Sequence, residues 1–205
     1  QKYSNFGLQR FRIDYEGTKD INTKTGTTLD FKIPRYAEML YDTYFVINLP
    51  NIYSPFFHYQ TEEASTIPVI KNNHSFAPYE FCWIEELGTN MIDEIEVYSG
   101  GVSLAKYSGE YLNCLKERDY SNSKKALWNR MTGNISVLND PGNAHGNINS
   151  YPNCQWSTDA LDIEPSIRGR QLYIPLDSFF CESSKMALPL VALQYQEINI
   201  RIRIK

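Results

Sequence analysis

The strongest pattern in the chain lies at residues 198–204, where Ile198, Ile200, Ile202 and Ile204 alternate with Asn199, Arg201 and Arg203. A period of two places the isoleucines on one face and the polar residues on the other, and predicts a half-buried antiparallel strand. A second alternation, IEVYSGGVSL over residues 95–104, is interrupted by Gly100 and Gly101. Both can adopt positive φ, so a tight hairpin is expected there. Residues 27–33 and 44–49 are rich in β-branched and aromatic side chains, and each run is closed by a proline, Pro34 or Pro50, that cannot continue a ladder. Both read as strands. Residues 35–40 fit one helical turn or a bend equally well. Residues 110–114 and 123–131 have helix-compatible composition, with Ser108 and Ser123 as candidate N-caps. Two stretches, 51–80 and 132–170, show no strand periodicity, and the second is dense in Asn, Gly, Pro and Ser. They are expected to be long surface loops, which in a compact domain usually carry function.

Composition narrows the class. The chain has 205 residues, 42% of them hydrophobic and 14% aromatic, enough for one domain with a substantial core and short for two. Ten prolines and eleven glycines cut it into short segments, as an all-β sandwich or barrel requires. The 24 acidic residues exceed the 20 basic ones, for a net charge of -4, which weighs against direct binding of nucleic acid. No run approaches the roughly 20 apolar residues of a membrane-spanning helix, and the leading QKYSNFGLQR has no apolar signal core. A soluble, non-secreted protein is expected, with Gln1 a trimmed or processed start.

Candidate chemistry is sparse. Cys82, Cys114, Cys154 and Cys181 form no C-x-x-C pair and have no histidine at ligand spacing, so reduced thiols are expected. His58, His74 and His145 are isolated in expected loops. Asp159, Asp162 and Glu164 lack the glycine and alternating ligands of a calcium loop. Ser121 and Lys124 have serine-nucleophile spacing, but the partner motifs of that chemistry are absent and a helix start explains them. Asn73-His74-Ser75 and Asn134-Ile135-Ser136 match the glycosylation acceptor pattern without a secretory signal, so modification is not expected. Arg201, Arg203 and Lys205 form a basic stripe, read as charges that protect an exposed strand from edge-to-edge pairing. No catalytic, cofactor-binding or metal-ligating residue is assigned, and neither an enzyme nor a cofactor is expected.

Longer motifs point to a family. YIPLDSFFC at residues 173–181, followed by ALPLVALQYQEI at residues 187–198, resembles the segment closing the first jelly roll of the major capsid proteins of nucleocytoplasmic large DNA viruses. IPRYAEML at 33–40 leading to Leu49-Pro50, WIEELG at 83–88 leading to Gly100-Gly101, and YSGEYL at 107–112 occur in the same order as in that family. Met186 and Gln196 stand where the family often has Gly and His, which leaves the viral branch open. The closing motif is expected to pack, with Leu188, Leu190 and Ala192 lining a sheet interior and Pro189 ending a ladder.

The resemblance implies an all-β fold: an eight-stranded antiparallel jelly-roll sandwich with long loops and short helices, residues 1–205 forming one domain, the first of two jelly rolls in a longer chain. It further implies a structural subunit, located in the virion capsid and assembled in the host cytoplasm. Homotrimers with a pseudo-hexagonal outline would tile an icosahedral shell, contacting neighbouring capsomers and minor capsid proteins. Loops 51–80 and 132–170 would form the outward towers. Tyr53, Phe56, Phe57, Tyr59, Phe76 and Tyr79 crowd the first loop and are expected to contribute to the trimer interface, where aromatic residues are enriched. A jelly-roll carbohydrate- or receptor-binding module is the alternative, because fold alone does not fix function. A metal-dependent enzyme on this scaffold would need clustered histidines that the sequence lacks.

Overall fold

The computed structural model describes residues 6–17, 25–55, 79–157 and 162–205. In chain order its strands are β1 (Thr27–Lys32), β2 (Met39–Leu40), β3 (Tyr44–Asn48), β4 (Ile92–Ser99), β5 (Val102–Tyr107), β6 (Gln155–Ser157), β7 (Asp162–Glu164), β8 (Gln171–Pro175), β9 (Leu188–Pro189) and β10 (Ile198–Ile204). Four α-helices accompany them: α1 (Leu87–Asn90), α2 (Gly109–Asp119), α3 (Asn122–Thr132) and α4 (Ser136–Asn139). The chain divides into two compact units, one drawn from residues 1–43, 90–115 and 175–205, the other from residues 44–89 and 116–174.

The first unit is built on an antiparallel sheet of order β1-β10-β4-β5. Its register stacks like with like. Leu29, Ile202 and Ile95 lie directly opposite one another on three adjacent strands, as do Phe31, Ile200 and Val97. Ile95, Val97, Ile198, Ile200 and Ile202 are 0–3% exposed. Burying each such side chain is worth about 2 kcal/mol, which fixes the register because a one-residue slip would turn every isoleucine toward water. Gly100 (φ 54°) and Gly101 (φ 83°) close the β4–β5 hairpin with the positive-φ pair that a two-residue turn demands. The Tyr107 hydroxyl donates to the Leu176 carbonyl at 2.7 Å. Burial raises the pKa of that phenol well above its ordinary value.

β10 is the second strand of this sheet, paired on both sides, which corrects the reading of its basic stripe. Arg201 and Arg203 guard no edge. Arg201 lies in register between Asp30 and Glu96, with Nε 2.8 Å from Asp30 Oδ1 and Nη1 3.4 Å from Glu96 Oε2. Its guanidinium also stacks on the Tyr98 ring, 4.7 Å from the centroid. Arg203 pairs with Asp93 at 2.6 Å and Lys106 with Glu94 at 2.9 Å. The polar face of the sheet is thus a ladder of alternating charges across strands.

The closing motif departs from its expectation as well. After β9, Leu190–Leu193 turns into a 3-10 helix, because Pro189 cannot extend the two-residue ladder with β2. Ala187 and Leu190 are buried, Leu188 is half-buried, and Ala192 faces solvent.

In the second unit β3 pairs with β8 and β6 with β7. Segment 132–170, expected to be a loop, contains α4, short 3-10 turns and the β6–β7 ladder. Ser121, not Ser123, caps α3, its Oγ accepting the Lys124 N–H at 3.4 Å. In the first unit Ser108 caps the start of α2 as expected, accepting the Tyr111 N–H at 3.3 Å. Gly133 ends α3 in the left-handed conformation (φ 85°), where a Cβ would also lie 2.9 Å from Leu172. Trp128, Leu138, Leu172 and Ile174 form the core of the second unit at 0–2% exposure. Among the described residues of this unit one charged group is buried: Lys116, whose Nζ lies 2.6 Å from Glu86 Oε1. The Asn134 side-chain amide donates to the same oxygen at 2.9 Å.

Candidate functional site

Of the six aromatic residues expected at an interface, Phe56, Phe57, Tyr59 and Phe76 lie outside the described residues. Tyr53 is 52% exposed and Tyr79 39% exposed. Tyr53 stands on a segment docked by paired backbone and side-chain bonds. Ile52 and Ile167 exchange N–H···O bonds at 2.9 and 3.2 Å. Next to it Ser54 accepts from the Cys154 N–H at 2.8 Å and donates its own N–H to Cys154 Sγ at 3.0 Å. Tyr79 stacks on Phe81 (5.7 Å between ring centroids), and Phe81 meets Trp83 edge-on at 5.2 Å. This ladder at every second residue was not legible as a surface feature, because it lies on an extended segment without a strand partner. The Trp83 backbone N–H donates to the Leu138 carbonyl, and the Asn139 side-chain amide donates to the Trp83 and Ile84 carbonyls.

The other candidates resolve into local structure. His145 is tied to Asp140, with Nδ1 3.0 Å from Oδ2 and its backbone N–H on Oδ1. Ser121 and Lys124 form a helix start, the Lys124 ammonium resting 3.5 Å over the Tyr120 ring. Glu164 pairs with Arg168 at 3.2 Å. The Asn134 amide is spent on Glu86. Cys82 and Cys114 are exposed and Cys154 is buried. His58, His74, Asn73 and Asp159 lie outside the described residues, as does the side chain of Asp162. Among the described residues no three His, Cys, Asp or Glu side chains converge as metal ligands, and no helix is long and apolar enough to cross a membrane.

Exposed apolar side chains of the first unit also lie where the β1–β2 connection meets the segment before β10. β2 pairs with β9, and the Val191 N–H donates to the Glu38 carbonyl at 3.3 Å. Tyr36 (68% exposed), Met39 (51%), Val191 (55%) and Tyr195 (98%) face solvent there. Arg35 fixes the segment with two donors, Nη1 to the Gln194 carbonyl at 2.5 Å and Nη2 to the Gln196 carbonyl at 2.7 Å. Lys32 Nζ reaches Glu197 Oε1 at 2.7 Å. Their hydrogen bond holds the Glu197 carboxyl below its ordinary range and the Lys32 ammonium above its own. Sequence reasoning placed Leu188, Leu190 and Ala192 of this segment in a sheet interior, and of these Ala192 is exposed. The available signal was the polar interruption by Gln194, Gln196 and Glu197 around Tyr195.

Comparison with known proteins assigns the chain. A family model described as major capsid protein N-terminus matches residues 1–205. The major capsid protein of Phaeocystis pouchetii virus is 24% identical over 208 residues, covering 100% of this chain and 35% of the relative. That of Chrysochromulina ericina virus is 23% identical, covering 100% and 36%. The chain therefore spans about a third of the length of these relatives. PBCV-1 VP54, as fitted into a reconstruction of the virophage Sputnik, shares the fold with a TM-score of 0.62 at 16% identity, covering 100% of this chain and 36% of that one. The Faustovirus major capsid protein gives 0.55 at 13% identity, covering 98% and 44%. The strand-dominated architecture is the jelly-roll fold of those capsid proteins. With all 205 of its residues matched, this chain belongs to the major capsid protein N-terminus family of large DNA viruses.

Proposed function

We propose that the chain is the first, eight-stranded jelly roll of a structural protein that self-assembles into trimeric, pseudo-hexagonal capsomers of an icosahedral viral shell. The observation that carries this reading is the family match along all 205 residues. Residues 1–205 act as one domain of a double jelly-roll polypeptide, with the segments 51–80 and 132–170 toward the outside of the capsomer. The activity is geometric: stiff sheets hold contact surfaces at fixed angles, and closed symmetry repeats each contact. No reaction is required of it. Assembly in the host cytoplasm and contacts with neighbouring capsomers and minor capsid proteins belong to the same proposal.

Tyr53 and Tyr79 are assigned to subunit contacts, together with Phe56, Phe57, Tyr59 and Phe76. The exposure of the two described residues supports this, since aromatic side chains on a docked segment can bury large area at little entropic cost. The carbohydrate-binding alternative is not favoured by the family match. Light scattering on the natural full-length polypeptide tests the proposal. Three copies per particle are expected, and a stable monomer at micromolar concentration contradicts it.

A further inference from the structure

We propose that the side chains of Lys116 and Asn134 join through an amide bond, formed with Glu86 as the proton carrier and with release of ammonia; the inference is independent of the assembly reading above. Glu86 Oε1 holds both partners at once, 2.6 Å from Lys116 Nζ and 2.9 Å from Asn134 Nδ2. A primary amine, a carboxamide and a carboxylate thus meet at one oxygen. Lys116 is buried, in the same unit as the core residues Trp128, Leu138 and Leu172. Glu86 Oε2 is buried as well and has no hydrogen-bond partner among the described residues. The other carboxylate near Lys116, that of Glu117, stands farther off at 3.4 Å and is itself held by Lys125.

Backbone structure fixes each group. Lys116 sits on α2. Glu86 precedes α1 with a φ of 52°, and its carbonyl accepts from the N–H and the Oγ1 of Thr89 at 3.1 and 3.0 Å. Asn134 follows the left-handed Gly133 cap of α3, with its N–H on the Asn129 carbonyl at 2.8 Å. Fixed placement replaces the encounter of free groups, and a lysine amine shielded from water is an activated nucleophile. Lys116 passes a proton to Glu86 along their hydrogen bond, and the freed lone pair on Nζ attacks Asn134 Cγ. Glu86 then gives that proton to Nδ2 and takes another from Nζ. The Cγ–Nδ2 bond breaks, ammonia leaves, and an Nζ–Cγ amide with a single hydrogen remains. Glu86 keeps the last proton, so the products are neutral and no oxidant or cofactor is consumed.

The bond closes a covalent ring around α3, from α2 to the residue beyond the α3 cap. Such a ring restricts the unfolded chain as a disulfide does. The four cysteines are free, so no disulfide supplies that restraint. An ion pair alone is weak ground for burying a lysine.

Mass spectrometry of a tryptic digest of the folded, natural full-length polypeptide tests the proposal. The peptides carrying Lys116 and Asn134 should appear as one branched species, lighter than the two together by one ammonia and uncleaved after Lys116. Glu86→Gln and, separately, Asn134→Ala should yield the two linear peptides. Asn134→Asp should still cross-link, with loss of water in place of ammonia. Linear peptides from the parent, cleaved normally after Lys116, overturn the proposal whether or not the variants fold. A cross-link that persists in Glu86→Gln overturns the role given to Glu86.

Discussion

Ile202 and Arg201 are neighbours in sequence and opposites in consequence. Ile202 is 1% exposed between Leu29 and Ile95, so Ile202→Ala removes buried methylenes and leaves a cavity in the middle of the sheet. A loss of about 3 kcal/mol is expected in urea unfolding. Arg201 spans Asp30 and Glu96 on the polar face with its side chain 41% exposed, and water screens both pairs. Arg201→Ala should cost about 1 kcal/mol or less. The alternation of residues 198–204 made that difference readable from sequence. Lys116 was not readable: in sequence it looks like any solvated lysine, and only the fold brings Glu86 to it, with Asn134 on the same carboxylate oxygen. Its side chain is 5% exposed, so Lys116→Ala strands the Glu86 carboxylate and is expected to destabilise by about 3 kcal/mol, while a substitution at exposed Lys124 should be near neutral.

Among elements, those specified by local chemistry were legible and those specified by distant partners were not. The Gly100-Gly101 turn announces itself because few residues tolerate φ values of 54° and 83°. Gly101→Val should therefore cost about 1–2 kcal/mol, measured as a lowered denaturation midpoint. The segment before β10 misled because ALPLVAL has the composition of a strand, whereas Pro189 stops the ladder and the chain turns into a 3-10 helix. The order of the following residues is expected to depend on pH. Glu197 titrates below its ordinary value of 4.5, so its pairing with Lys32 is fully present above that pH and is lost as pH falls through the lower folded-state value. Lys32 titrates above 10.5, so the pair is present below that pH and is lost as pH rises beyond it. NMR order parameters of residues 194–197 should decrease as pH falls through the lowered Glu197 value, and Lys32→Met should remove that acid step. An acid step that persists in Lys32→Met contradicts the assignment.

For the molecule as a whole, the landmarks at residues 33–40, 83–88, 107–112 and 173–198 carried the family, because ordered motifs survive at 23–24% identity where composition says little. Position in the assembly was less legible. A surface residue and a core residue share the same alphabet of Tyr, Val and Leu, and only three-dimensional packing sorted Tyr195 and Val191 to the outside and Leu190 to the inside. Exposed aromatic and apolar side chains on backbone held by hydrogen bonds are consistent with the proposed role in repeated subunit contacts. Single-particle cryo-electron microscopy of the natural full-length polypeptide tests the proposed assembly most directly. The account predicts a threefold particle with a pseudo-hexagonal outline in which three copies of the β1-β10-β4-β5 sheet are resolved; isolated single copies, or an assembly without threefold symmetry, would contradict it.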